Sequence, residues 1–186
     1  MKNFSLHMRV WHWLNAAVVF GLLGTFFLRK TFLSWRANAE ILTAKLQGFG
    51  IAVTPEQAGA VARAIRAPMW EWHIILGYVF AGLVAWRLAM IFREGFGYAP
   101  QNAHMAWVYR GYKVIYVVFA FMAASGILIH LSGDIGLGKS LTGQIKELHE
   151  LVAWAIVAFV VLHIAGVFVA DNRDQKGITS KMVSGE

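Results

Sequence analysis

Four long apolar blocks, separated by polar segments, dominate the amino-acid sequence. A helix needs about 20 apolar residues to cross the roughly 30 Å of hydrocarbon in a bilayer, and each block reaches that length. None of the blocks contains proline, which favours uninterrupted membrane helices. The four blocks comprise approximately residues 8–28, 69–92, 105–131 and 145–170. The pattern predicts an all-α membrane protein with four transmembrane helices.

The connections between the blocks predict how the helices are arranged. The first connection is long and includes Thr54-Pro55-Glu56-Gln57, where a threonine, a proline and an acid suit the start of a helix. Ala58 to Ile65 follow as a short amphipathic segment, which we expect to lie on the membrane surface. The other two connections are short, so the helices around them are expected to be antiparallel neighbours. We therefore predict a four-helix bundle, a single domain over residues 1–186, with a short amphipathic helix in the first loop.

Composition and charge narrow the classes of function. Hydrophobic residues make up 58% of the chain and charged residues 15%, whereas soluble domains carry about 25% charged residues. The absence of cysteine excludes disulfides, iron–sulfur ligation and covalently attached c-type haem. A net charge of +7 would favour nucleic acid in a soluble protein, but here the basic residues flank apolar blocks and suit lipid headgroups. The expected partner is therefore the lipid bilayer and not nucleic acid.

Two histidines share one face of the fourth predicted helix. His149 and His163 lie 14 residues apart, which corresponds to about 1400° of rotation and about 21 Å of rise along a helix. This rotation is within about 40° of a whole number of turns, so both side chains point in one direction near opposite helix ends. Ionisable residues inside membrane helices are costly and usually functional. The spacing therefore indicates two sites at different depths.

Each of these histidines has a partner at a matching depth. Helices one and four run antiparallel, which puts His12 level with His163. Helices two and four run parallel, which puts His73 level with His149. Two imidazoles are the axial ligands of a low-spin electron-transfer haem, so the pairs predict two haem b groups. Zinc usually needs three or four protein ligands and fits separated pairs poorly, and structural histidines bonded to backbone carbonyls are the remaining alternative.

Other residues are candidates for roles beside the haems. Gly77 lies one turn after His73, where glycine lets a porphyrin edge approach the helix closely. His130, at the end of the third helix, is either a competing ligand or an interfacial or quinone-site residue. Most of the eight tryptophans fall near helix ends and indicate an aromatic belt. The basic residues that are candidates to pair with haem propionates are Arg9, Arg87, Lys113 and Lys146.

The motifs around the histidines resemble those of a known family. Residues Arg9 to Asn15, with the sequence RVWHWLN, resemble the first-helix signature of the b-type cytochrome subunits of membrane-bound nickel–iron hydrogenases. His73 with Gly77 resembles the second-helix motif of that family, and His149 with His163 resembles its fourth-helix pair. Formate dehydrogenase cytochrome b subunits and bacterial cytochrome b561 are similar more distantly.

The resemblance implies a location for each haem. It implies a four-helix dihaem cytochrome of the bacterial inner membrane with both termini in the cytoplasm. The tail from Gly177 to Gly185 is similar to the cytoplasmic tail of those subunits. His12 and His163 then hold the haem on the cytoplasmic side, and His73 and His149 hold the haem on the periplasmic side.

The resemblance also implies an activity and partners. Electrons are expected to pass between a periplasmic electron-transfer protein, or dehydrogenase subunits, and quinone. A stand-alone enzyme of the cytochrome b561 type, which reacts with quinone by itself, is an open alternative, and a homo-oligomer is also open. A transporter or scaffold with structural histidines is the alternative from a different class.

Overall fold

The computed structural model describes residues 4–96, 103–173 and 175–185. Four of its helices are long and apolar enough to cross a membrane, so the predicted all-α architecture with four membrane helices is confirmed. Two shorter helices accompany them. In chain order the helices are α1 (Leu6–Lys30), α2 (Trp35–Gly48), α3 (Pro55–Glu94), α4 (Ala103–Leu131), α5 (Lys139–Asn172) and α6 (Ile178–Val183).

Helix α3 begins where the sequence predicts a helix start, but it is longer than the predicted membrane helix. The Thr54 amide donates to Gln57 Oε1 at 2.9 Å, and the Gln57 amide donates to Thr54 Oγ1 at 3.3 Å. This reciprocal pair is a capping box, which satisfies two amides that the first helical turn leaves unpaired.

The separate amphipathic helix predicted over Ala58–Ile65 is wrong in position. That segment forms the first turns of α3, which continues through Pro68, and the short helix of the first loop is α2. An α-helix of 40 residues is about 60 Å long. This is about twice the hydrocarbon thickness, so a large part of α3 extends beyond the bilayer core.

The chain divides into two compact units, a small unit of residues 19–76 and a large unit of residues 1–18 with 77–186. In the small unit the second part of α1 packs against the first part of α3. A Cβ added at Gly21 would lie 2.8 Å from Leu76 Cδ1, so glycine permits this close approach. Two turns along α1, the Arg29 guanidinium lies 5.9 Å from the centre of the Trp70 ring. These contacts set an antiparallel register for the two helices.

In the large unit, aromatic side chains join helices α1, α3, α4 and α5. Trp11 is buried with Leu83, and its Nε1 donates to the Leu83 carbonyl at 2.7 Å. Phe119 of α4 contacts Phe80 of α3 and Phe159 of α5, with ring centres 5.3 and 6.2 Å apart. Such edge-to-face pairs are favourable packing geometries for aromatic rings.

The tryptophans differ in exposure, and Trp11 does not fit the predicted aromatic belt. Trp13, Trp72 and Trp107 are 48%, 62% and 69% exposed, as side chains of an aromatic belt are. Trp11 is only 4% exposed, because its indole N–H has a carbonyl acceptor inside the protein. Trp11 is therefore a packing residue that fixes the start of α1 against α3.

Candidate functional site

The rings of His12 and His163 lie together in the large unit. Their centres are 6.0 Å apart and their planes are inclined by 58°. His12 is in the second turn of α1 and His163 is near the end of α5. Both side chains are half-buried. The structure therefore brings together the two residues that the depth argument pairs.

This separation suits one metal ion between the two rings. An imidazole nitrogen binds a transition metal at about 2.0 Å, and the ring centre lies about 1.1 Å behind that nitrogen, so two imidazoles on opposite sides of one ion have centres about 6 Å apart. The spacing of 6.0 Å between His12 and His163 matches this value. In the part of the chain that the structure describes, no three or more His, Cys, Asp or Glu side chains lie close enough together to form a metal site. The donors present here are two imidazoles, the set that a low-spin haem requires.

Aromatic side chains surround this histidine pair. Phe159, one turn before His163 on α5, stacks on its ring at 5.4 Å with an interplanar angle of 19°. Tyr112 of α4 contacts His163 edge to face at 6.4 Å, and Trp13 contacts His12 in the same way at 5.2 Å. These rings give the pair an apolar surround, and the surround of a haem is one of the factors that tune its potential.

Arg9 lies one turn before His12, and its guanidinium contacts the C-terminal segment. Arg9 Nη1 donates to the Val183 carbonyl at 3.1 Å, and a Cβ added at Gly185 would lie 2.8 Å from the same nitrogen. Arg9 Nε is buried and has no hydrogen-bond partner among the described residues. Its N–H is thus a donor that could pair with an anionic group, such as a haem propionate, for which Arg9 is one of four candidate residues.

His149 of α5 has a hydroxyl partner on α4. Its Nδ1 lies 2.8 Å from Ser125 Oγ, and Ser125 Oγ donates to the Met122 carbonyl at 3.3 Å. A Cβ added at Gly126 would lie 3.4 Å from His149 Cε1. The neighbouring glycine therefore lets the imidazole lie close against α4, and the serine holds one of its nitrogens.

His73 has the same kind of partner within the small unit. Its Nδ1 lies 2.7 Å from Thr25 Oγ1, and Thr25 Oγ1 donates to the Leu22 carbonyl at 2.7 Å. A Cβ added at Gly77, one turn further along α3 and already in the large unit, would meet no atom of another described segment within 4 Å. The helix surface beside Gly77 is therefore open, as the approach of a porphyrin edge requires.

Comparison with known proteins identifies the family. The family described as prokaryotic cytochrome b561 matches residues 3–185. The chain belongs to this family. Membership implies a membrane b-type cytochrome that binds haem b and takes part in electron transfer. No curated protein and no solved structure matches the chain.

A buried arginine is a further feature of this cytochrome b561 family member. Arg87 is only 8% exposed, and its guanidinium lies over the rings of Trp11 and Tyr116 at 5.6 and 5.0 Å. Arg87 Nε also donates to Tyr116 Oη at 3.1 Å. These cation–π contacts partly offset the cost of removing the charge from water. They hold a permanent positive charge beside Trp11, the residue that precedes His12.

His130 lies at the exposed end of α4, and its ring contacts Tyr78 edge to face at 5.8 Å. Its alternative roles stay predictions. Two other site residues were missed by the sequence reasoning, Thr25 and Ser125. The available signal was a hydroxyl residue within an apolar block at the depth of a candidate histidine, because such a hydroxyl needs a partner in the membrane.

Proposed function

We propose that the chain is a dihaem b-type cytochrome of the bacterial inner membrane. It carries electrons between a periplasmic redox partner and the quinone pool. His12 and His163 hold one haem on the cytoplasmic side, and His73 and His149 hold the second on the periplasmic side. The observation that carries the proposal is the 6.0 Å separation of the His12 and His163 rings. When bound, each haem supplies a reversible one-electron couple of its iron.

The side chains of the protein have three roles in this proposal. The four imidazoles ligate iron and hold it low-spin, which suits electron transfer. The aromatic residues around His163 give the pair an apolar surround. Arg9 offers its unpaired Nε–H to a propionate. The pairing of His73 with His149 rests on their matching predicted depths in the membrane. Their hydroxyl partners support it, because axial histidines usually donate from their other nitrogen to a fixed acceptor.

The haem content of the purified chain tests the proposal. We expect two haems per chain by pyridine haemochrome assay, and a b-type absorption spectrum after reduction with dithionite. A chain without b-type absorption would favour the transporter or scaffold with structural histidines. One haem per chain would contradict the dihaem proposal, and the histidine variants would then show which pair holds that haem. Apoprotein loaded with haemin during refolding is a control for loss of haem during purification.

A second candidate is a stand-alone quinone-reactive oxidoreductase of the cytochrome b561 type. Copurification separates it from an electron-transfer subunit. A partner that remains bound through affinity purification and size-exclusion chromatography supports the subunit. Reduction of the haems by a soluble quinol, followed by oxidation in repeated turnover of the isolated chain, supports the enzyme.

The membrane topology makes a separate prediction. Four membrane helices return the chain to its starting side, so both termini lie on one side, which is the cytoplasm in this proposal. Green fluorescent protein fused after residue 185 should fluoresce, and alkaline phosphatase fused after Gly50, in the first loop, should be active. The reverse pattern, with phosphatase active only at the C-terminal fusion, would place the first haem on the periplasmic side.

A further inference from the structure

The hydroxyl oxygens of Thr25 and Ser125 each lie within hydrogen-bond distance of a backbone carbonyl and of an imidazole nitrogen. A hydroxyl has one proton and two acceptor lone pairs. Thr25 Oγ1 gives its proton to the Leu22 carbonyl at 2.7 Å, and Ser125 Oγ gives its proton to the Met122 carbonyl at 3.3 Å. The side of each oxygen that faces the imidazole therefore carries a lone pair.

With the hydroxyl proton on the carbonyl, the imidazole is the donor in each contact. The distances to Nδ1 are 2.7 Å for His73 and 2.8 Å for His149, both of which are hydrogen-bond lengths. A neutral imidazole has one N–H, so a proton on Nδ1 leaves the lone pair on Nε2. In that tautomer Nε2 is the nitrogen that would bind a metal ion. Thr25 and Ser125 are 8% and 5% exposed, so water competes little for these bonds.

We propose that Thr25 and Ser125 are positioning residues that hold His73 and His149 in the metal-binding tautomer and lower the reduction potential of the haem they ligate. This inference rests on the proposed function. Donation from Nδ1–H makes the imidazole a stronger electron donor through Nε2. A stronger donor favours ferric over ferrous iron, so the bond shifts the midpoint potential downward. The neighbours identified for His12 and His163 are aromatic rings, so the His12/His163 haem serves as an internal reference.

Spectroelectrochemical titration of Thr25→Val and Ser125→Ala tests the proposal. Both variants remove the hydroxyl and leave a side chain of similar or smaller size. We expect the midpoint of the His73/His149 haem to rise in each variant and further in the double variant. The net strength of one hydrogen bond corresponds to about a three- to tenfold change in the ratio of reduced to oxidised haem at fixed potential. The midpoint of the His12/His163 haem should not move.

Four further variants separate this role from a structural one. Thr25→Ser and Ser125→Thr keep a hydroxyl and should restore the wild-type midpoint. Thr31→Val and Ser132→Ala are matched controls, because those hydroxyls also donate to carbonyls of preceding residues, Phe27 and Ile129. The controls should change neither midpoint. The electron paramagnetic resonance signal of the low-spin ferric haem should shift only in Thr25→Val and Ser125→Ala.

The outcomes distinguish this inference from the proposed function. Two haems per chain with unchanged midpoints in Thr25→Val and Ser125→Ala would overturn the inference and leave the proposed function intact. Equal shifts of both haems, or the same shift in the control variants, would also overturn it, because they indicate a general structural effect. A wild-type chain without haem would overturn the proposed function and this inference together. Loss of one haem in Ser125→Ala that Ser125→Thr restores would support the positioning role.

Discussion

The variants His12→Ala and His163→Ala are each expected to bind one haem per chain, and the haem that is lost should be the same in both. The two rings lie 6.0 Å apart on α1 and α5, so one iron between them depends on both. Removing either imidazole leaves a single axial ligand and an open position at the iron. The measurement is haem per chain together with the reduced absorption spectrum, which should lose about half of its b-type intensity. The double variant should lose no more haem than either single variant.

Two controls make this result specific. His7→Ala removes an exposed histidine from the first turn of the same helix and should retain both haems. Free imidazole added to His163→Ala should restore the missing absorption, because the small side chain leaves room for an imidazole at the iron. Loss of different haems from His12→Ala and His163→Ala would show that these residues belong to separate sites, and the pairing would be wrong.

The sequence predicted the four membrane helices well because the hydropathy of a segment decides whether it crosses the membrane as a helix. A run of about 20 apolar residues is stable across a bilayer only as a helix, since the backbone finds no other hydrogen-bond partners there. The bounds of α1 and α4 accordingly differ from the predicted blocks by only a few residues. In contrast, the segment before Pro68 is not apolar, and hydropathy alone does not decide its structure.

Helix α3 shows that the local sequence pattern predicts where a helix begins but not whether it continues through a proline. The helix start at Thr54 was readable, and the structure shows a capping box with Gln57 there. The continuity through Pro68 was not readable, because proline removes one hydrogen bond and packing must offset the loss. Trp35 of α2 provides such packing: its ring lies 5.4 Å from the Arg63 guanidinium and 3.6 Å from a Cβ built at Gly59. This contact between α2 and α3 depends on the tertiary structure.

The candidate site likewise has a part that the sequence predicts and a part that depends on tertiary packing. The proximity of His12 and His163 followed from helix length and antiparallel order, which the sequence contains. The hydroxyl partners Thr25 and Ser125 depend on the rotation of neighbouring helices about their axes. That rotation is set by packing details such as the close approach of Gly21 to Leu76 and of Gly126 to His149. A single sequence does not give it, although a polar residue within an apolar block marks the candidates.

Substitution of His73 or His149 is also expected to have a large effect on haem content. His73→Ala and His149→Ala should each lose one haem, and the haem lost should be the one that His12→Ala retains. His73 and His149 each have Nδ1 within 2.8 Å of a hydroxyl oxygen, which leaves Nε2 as the metal-binding nitrogen. The combination His149→Ala with His163→Ala should bind no haem, because it removes one ligand from each pair. Haem per chain and the remaining midpoint potential, compared with those of His12→Ala, measure the result.

His130→Ala is the decisive comparison for this pair. His130 is exposed at the end of α4 and its ring contacts Tyr78, so the variant should retain both haems. If His130→Ala loses a haem while His73→Ala retains both, then His130 is the ligand that accompanies His149. In that case His73, held by Thr25, would be a structural histidine, and the effect of Thr25→Val on the midpoint should also be absent. The His149 ligand role would stand in both cases, because Ser125 leaves its Nε2 free to bind iron whichever residue lies opposite.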